Sequence, residues 1–179
     1  MAALKYIFTL GAMLVAGLVL LGISSKSFEY EYEVAVPARY HQVWNKLVNP
    51  DSLVRWYPHL DSIVLLSDTF GVEESRQIWL IDMEDSSYSM PVELIMIDHS
   101  DSLTYRMQYP FALKETKFVV EPMVEQHTGV TAKVKWKPNG FFKRITMRFN
   151  SLVLGYQDQL VLEALKSTFK SKKLSTDEE

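Results

Sequence analysis

The side chains best suited to acid–base chemistry in this chain are its four histidines, His41, His59, His99 and His127. Imidazole titrates near neutral pH, so a histidine held against a reacting group can give or take a proton. Their settings argue against that role. His41 falls on a short helical pattern, His59 follows a proline, and His99 and His127 fall in short links between strand-like runs. No two histidines have metal-ligand spacing, and there is no cysteine, so neither zinc ligation nor a thiol nucleophile has its residues. No metal, cofactor or catalytic constellation is expected. Carboxylates do not fill the gap, because Glu29, Glu31, Glu33, Glu93, Glu115 and Glu121 fall opposite the apolar strand faces or at their margins. Those faces carry no His, Asp, Glu or Lys, which leaves little to move protons with. Tyrosine remains, with Tyr30, Tyr32, Tyr88, Tyr105, Tyr109 and Tyr156 as candidates for the enclosed side. Their hydroxyls can orient a bound polar group or hydrogen-bond within a core. Met90, Met96 and Met107 accompany them and are open to the same two readings, adaptable ligand contact or gap-filling.

These residues are positioned by short strands. Phe28 to Val34 alternates strictly between apolar or aromatic residues and Glu29, Glu31 and Glu33. Pro37 ends that strand. Val43, Trp44, Leu47 and Val48 form the stripe of one short helix, which Asn49-Pro50 stops, and Asp51 is expected to cap a second that Pro58 closes. Six strand-like runs follow: Ile63 to Leu66, Gln77 to Met83, Tyr88 to Met96, Leu103 to Tyr109, Thr116 to Glu121 and Val130 to Trp136. Pro91 hints at a bulge or an edge. The links between them are short, which implies antiparallel hairpins. Phe141 to Lys170 then reads as one long helix of roughly 45 Å, capped by Asn139. Ile145, Phe149, Leu152, Val153, Tyr156, Leu160 and Ala164 recur on one face of it and are expected to lie against the sheet. Lys143, Arg144 and Arg148 sit near its start, where the dipole disfavours cations. A solvated face accounts for them, as would an anionic head group or a lipid surface.

Tyr6 to Ile23 is an almost unbroken apolar run bracketed by Lys5 and Lys26. As a helix it spans roughly 27 Å, close to bilayer thickness, and residues 1–26 are expected to form a single-pass membrane anchor through residues 6–23. The rival reading is a cleaved signal peptide, but the run exceeds a typical signal core, and Leu21-Gly22-Ile23-Ser24-Ser25 matches a small-residue cleavage site poorly. Lys5 with the free amine outweighs Lys26, which places the following domain outside the cytoplasm. Residues 27–172 make one domain, and 173–179 read as a disordered polar tail. With 179 residues and a net charge of −3, a second domain has no room and general nucleic-acid binding no driving charge.

The order strand, two short helices, six strands, long helix resembles the helix-grip fold of the START, Bet v 1 and polyketide cyclase/dehydrase superfamily, also called SRPBCC. The resemblance runs from Phe28 to about Lys170. It is most recognisable in Pro37-Ala38 with Val43-Trp44, in Trp56-Tyr57-Pro58 with Ile63-Val64, and in Leu154-Gly155-Tyr156-Gln157 through Leu165-Lys166. It implies an α+β domain in which a curved, seven-stranded antiparallel sheet wraps the C-terminal helix around an apolar cavity. It also implies that the first and last strands pair, setting Glu29, Glu31 and Glu33 against Lys133, Lys135 and Lys137. The inward faces then converge on the helix. Tyr32, Trp79, Met90, Tyr105, Met107, Phe118 and Trp136 come from the strands, and Phe149, Leu152 and Tyr156 from the helix. The expected function is membrane-tethered binding of a lipid-like or other apolar small molecule in a cavity of several hundred Å³. A cyclase- or hydrolase-type enzyme and a filled-core protein-interaction domain are the alternatives.

Overall fold

The computed structural model describes residues 2–24, 26–66, 74–83, 86–98, 101–124 and 126–174. Helix α1 (Ala2–Ser24) precedes strand β1 (Phe28–Val36), helices α2 (Tyr40–Val48) and α3 (Pro50–Trp56), and strands β2 (Leu60–Leu65), β3 (Ser75–Met83), β4 (Ser86–Asp98), β5 (Ser102–Gln108), β6 (Ala112–Pro122) and β7 (Thr128–Pro138). Helices α4 (Phe141–Phe149) and α5 (Ser151–Leu174) close the chain. His99 and residues 175–179 of the tail expected from 173 lie outside the described residues, while Lys173 and Leu174 still belong to α5.

One antiparallel sheet of seven strands runs in the order β1-β7-β6-β5-β4-β3-β2. The α+β helix-grip architecture is therefore present, with the first and last strands as neighbours. Register sets Glu29 opposite Lys135 and Glu31 opposite Lys133, and both make ion pairs. The expected ladder stops there. Glu33 faces Thr131, and Lys137 turns to Glu115 of β6 at 2.8 Å. Pro91 pairs with Ile78 on its β3 side, and the β4–β5 ladder starts one residue later, at Val92, so the missing N–H falls where β4 outruns its neighbour.

Asn49, not Asp51, caps α3, accepting from the Ser52 N–H at 3.3 Å. Pro50 suits the first helical position because it has no N–H to satisfy there, so the helix starts at Pro50 and the cap falls on Asn49. Beneath α2 and α3 the space is filled by Val36, Val43, Leu47, Leu53, Leu103, Val120 and Val130, all essentially inaccessible. Tyr105 Oη donates to the Leu47 carbonyl of α2 at 2.9 Å and Thr128 Oγ1 to the Ala38 carbonyl at 2.7 Å, tying α2 and the link that leads into it to the sheet.

The single long C-terminal helix of the sequence reading is in fact two. Gly140 is the N-cap of α4, in place of Asn139, with φ at 111°, a conformation glycine adopts without a Cβ clash. Asn150 interrupts the run before α5. The face that goes in also differs from the expected one. Gly155, Asp158, Leu162 and Leu165 of α5 are buried, whereas Phe149, Leu152, Val153, Tyr156 and Leu160 are exposed. The cause is at Gly155, where an added Cβ would lie 2.6 Å from Tyr32 Oη and 3.4 Å from Tyr30 Cε1. Tyr30 Oη also donates to the Ser151 carbonyl at 2.9 Å. Only the small-residue face can approach the tyrosine pair, so the aliphatic stripe is left outside.

Helix α1 carries Tyr6, Ile7, Phe8, Leu10, Met13, Leu14, Val15 and Leu20 exposed along its length and meets the rest of the structure through α4. Among the described residues no helix is long and apolar enough to cross a membrane.

Candidate functional site

Between α5 and the β3–β7 part of the sheet lies a pocket of about 270 Å³. Its walls are mostly apolar or aromatic, with Met90 from β4, Tyr109 and Phe111 from the β5–β6 turn, Trp136 from β7, and Leu154 and Val161 from α5. Tyr57, Pro58 and His59, between α3 and β2, close one side. A more open trough of about 660 Å³ continues from it, sharing Met83, Tyr88, Met90, Tyr109, Phe111 and Gln157.

An ion pair sits in the pocket wall. Lys114 Nζ donates to Asp158 Oδ1, and the two side chains are only 6% and 3% exposed. Trp136 Nε1–H donates to the other carboxylate oxygen at 2.9 Å, and the Lys114 ammonium lies 5.2 Å from the Trp136 ring centre. Asp158 thus has a donor on each oxygen. Lys114 is less fully used, since an ammonium has three donors and Asp158 is its one hydrogen-bond acceptor among the described residues. Burial alone would lower the Lys114 pKa, but Tyr57 and Tyr109 once ionised at high pH, and the Asp158 carboxylate throughout, outweigh it and hold the group above its ordinary value. It is therefore a charged donor at neutral pH and a poor base.

The pocket tyrosines are held neutral. Burial pushes Tyr109 up to about 12, opposed by Lys114 and reinforced by Tyr57 and Asp158. Burial likewise raises Tyr57, with Lys114 opposing, and raises Tyr88. Tyr109, Phe111 and Trp136 form an aromatic box, with ring centres 5.0 to 6.2 Å apart. The arrangement can enclose a flat apolar body and offer hydrogen-bond donors to one oxygen at its end.

Of the residues expected to line the cavity, Met90 and Trp136 do so. Trp79, Tyr105 and Phe118 continue from Tyr57 as an edge-to-face chain deep in the core, with Met107 buried beside them. They fill the space that the sequence reading left open. Tyr32 is half-buried, stacked on Tyr30 against α5. Phe149, Leu152 and Tyr156 face outward for the reason given at Gly155. The expectation that no Lys or Asp faces inward is corrected by Lys114 and Asp158. The signal was in the strand alternation, because extending the inward set Thr116, Phe118 and Val120 by one step reaches Lys114. Among the histidines, His41 is exposed on α2, His127 is exposed beside β7, and His59 lines the pocket from an exposed position with a left-handed φ of 62°. Among the described residues no group of three or more His, Asp or Glu is placed to hold a metal ion.

No family model matches the chain, and no curated protein sequence matches it significantly. Solved structures do match its fold. The di-domain ARO/CYC StfQ from the steffimycin biosynthetic pathway superposes with a TM-score of 0.65 at 12% identity over 83% of this chain. That match covers 52% of StfQ, so the chain spans about half of that protein. A protein from Thermus thermophilus gives 0.64 at 14% identity, covering 81% of this chain and 99% of its own. A START superfamily protein from Mycobacterium smegmatis gives 0.61 at 11% identity, covering 80% and 97%. At these identities the likeness is one of fold.

Proposed function

We propose that this chain binds a hydrophobic small molecule or lipid in the pocket between the sheet and α5, with one polar group of that molecule set against Lys114. The observation that carries this reading is the buried Lys114–Asp158 pair opening onto aromatic walls. Apolar walls with a few convergent polar groups are the ordinary make-up of small-ligand sites. A START superfamily protein and an ARO/CYC protein share the fold, which agrees with an apolar occupant. To test it, the full chain is purified in detergent and extracted with organic solvent, and the extract is analysed by mass spectrometry. One apolar class near one molecule per chain is expected, and it should be lost from the Lys114→Met/Asp158→Asn double variant. An extract indistinguishable from the detergent background would favour the filled-core reading.

The same pair supports a second reading, a cyclase-type enzyme. Lys114 would polarise a substrate carbonyl while Asp158 accepts a proton from the adjacent carbon; the enolate so formed attacks a second carbonyl of the same molecule to make the ring C–C bond, and the proton returns from Asp158 to the new alkoxide. Because such a closure conserves mass, a time-dependent change in the chromatographic retention or absorbance of the extracted species, with loss of one water where dehydration follows, would favour it.

The tether belongs to this proposal too. Helix α1 is apolar on all sides and exposed, the pattern of a helix meant for an apolar surrounding. We place residues 6–23 in a bilayer and the domain that follows, residues 27–172, outside the cytoplasm. Washing membranes at high salt and high pH should leave the chain in the pellet, and protease added to right-side-out vesicles should digest the domain. Release starting near Ser25 would instead indicate cleavage.

A further inference from the structure

The side of α4 and of the start of α5 that points away from the sheet is apolar and open. Phe142 is 79% exposed, Phe149 69% and Leu152 86%, with Val153 and Tyr156 exposed beside them. A helix facing only water carries polar residues there. The charged residues from 141 to 157 are Lys143, Arg144 and Arg148, all cations. Lys143 and Arg148 are exposed and Arg144 half-buried. Large apolar side chains bordered by cations alone complement a bilayer with anionic head groups, where the rings enter the acyl boundary and the cations stay at the phosphates.

The position of this surface agrees with its chemistry. Gly22 near the end of α1 is packed so closely on α4 that an added Cβ would lie 2.3 Å from Phe141 Cε2. Arg144 Nη1 donates to the Gly22 carbonyl at 3.5 Å. The apolar α1 therefore leads directly to α4. On its other side, Lys143 Nζ donates to the Pro110 carbonyl at 2.7 Å, fixing α4 to the turn whose Phe111 lines the pocket.

We propose that α4 and the first turns of α5 form a second, peripheral membrane contact, seated on an anionic bilayer surface and holding the pocket mouth at Phe111 against it. The role of the mouth rests on the ligand-binding reading, whereas the docking needs no ligand. The test introduces a tryptophan as Phe149→Trp or Leu152→Trp in the full chain, reconstituted in vesicles of phosphatidylcholine and phosphatidylglycerol with brominated acyl chains. Lys133→Trp, on the outer face of the sheet, is the control. Emission added at 149 and 152 should be quenched while that at 133 is spared. Quenching should weaken in pure phosphatidylcholine and in the Lys143→Gln/Arg148→Gln background. If 149 and 152 are quenched no more than 133, the docking is wrong, and crosslinking between chains through residue 152 in that case would assign the face to a second copy. Strong quenching of a chain whose solvent extract is empty would sustain the docking and refute the ligand.

Discussion

Lys114 on β6 and Asp158 on α5, 44 residues apart, meet as an ion pair shut almost completely from solvent. Desolvating both charges makes such a pair a poor way to fasten a helix to a sheet, since apolar residues of similar volume often do as well or better. Breaking it is another matter. Asp158→Asn leaves the ammonium without its counter-charge and should lower unfolding free energy by about 3–5 kcal/mol. Lys114→Met added to Asp158→Asn should recover most of that loss, read from urea denaturation of the three chains. A double variant as damaged as the single one would show that packing, not charge, is at stake.

The same groups set the alkaline limit. Tyr109 is raised by burial to about 12, and Lys114 is held above its ordinary value by Tyr57, Asp158 and Tyr109 against the effect of burial. In both cases the folded state keeps a proton that the unfolded chain releases at lower pH, so stability falls as pH rises. Their contribution should be constant up to about pH 10 and then decline, because unfolded tyrosine and lysine titrate there. Tyr109→Phe should flatten part of the decline in denaturation curves recorded across that range. An unchanged slope would remove Tyr109 from the account.

Gly155 lets α5 approach the tyrosine pair. Alanine favours a helix interior over glycine by about 1 kcal/mol, so Gly155→Ala would stabilise α5 taken alone. The contact with Tyr32 Oη at 2.6 Å opposes this, and a net loss of about 1 kcal/mol is expected, within the usual range for overpacking. In a Tyr32→Ala background the sign should reverse. A gain from Gly155→Ala in the unaltered chain would mean that Tyr32 moves aside freely.

Much of the sheet was legible because strand alternation is local and short links force hairpins. Glu29 against Lys135 follows from those two facts and the helix-grip order. The C-terminal helix misled because its largest apolar residues, Phe149, Leu152 and Tyr156, form the more obvious stripe. Burial was decided by steric approach at Gly155 instead, a relation between residues far apart in sequence. Asp158 then faces inward because it lies three positions further along the same helix face. It is tolerated there because β6 brings Lys114 opposite, a pairing that only the folded topology shows. The outward stripe, in turn, is explained by a lipid surface better than by water.

The measurement that tests the central claim most directly follows the tryptophan indole N–H resonances of the ¹⁵N-labelled full chain in detergent during titration with 2-naphthol, a flat apolar molecule with one oxygen. Trp136 donates to Asp158 inside the pocket, whereas Trp56 donates to the Lys46 carbonyl and Trp79 to Gln77, both away from it. The Trp136 signal should shift saturably while those of Trp56 and Trp79 stay, and the shift should vanish in Lys114→Met/Asp158→Asn. A Trp136 signal that does not move, or moves only in step with the other two, would contradict a ligand site at Lys114 and Asp158.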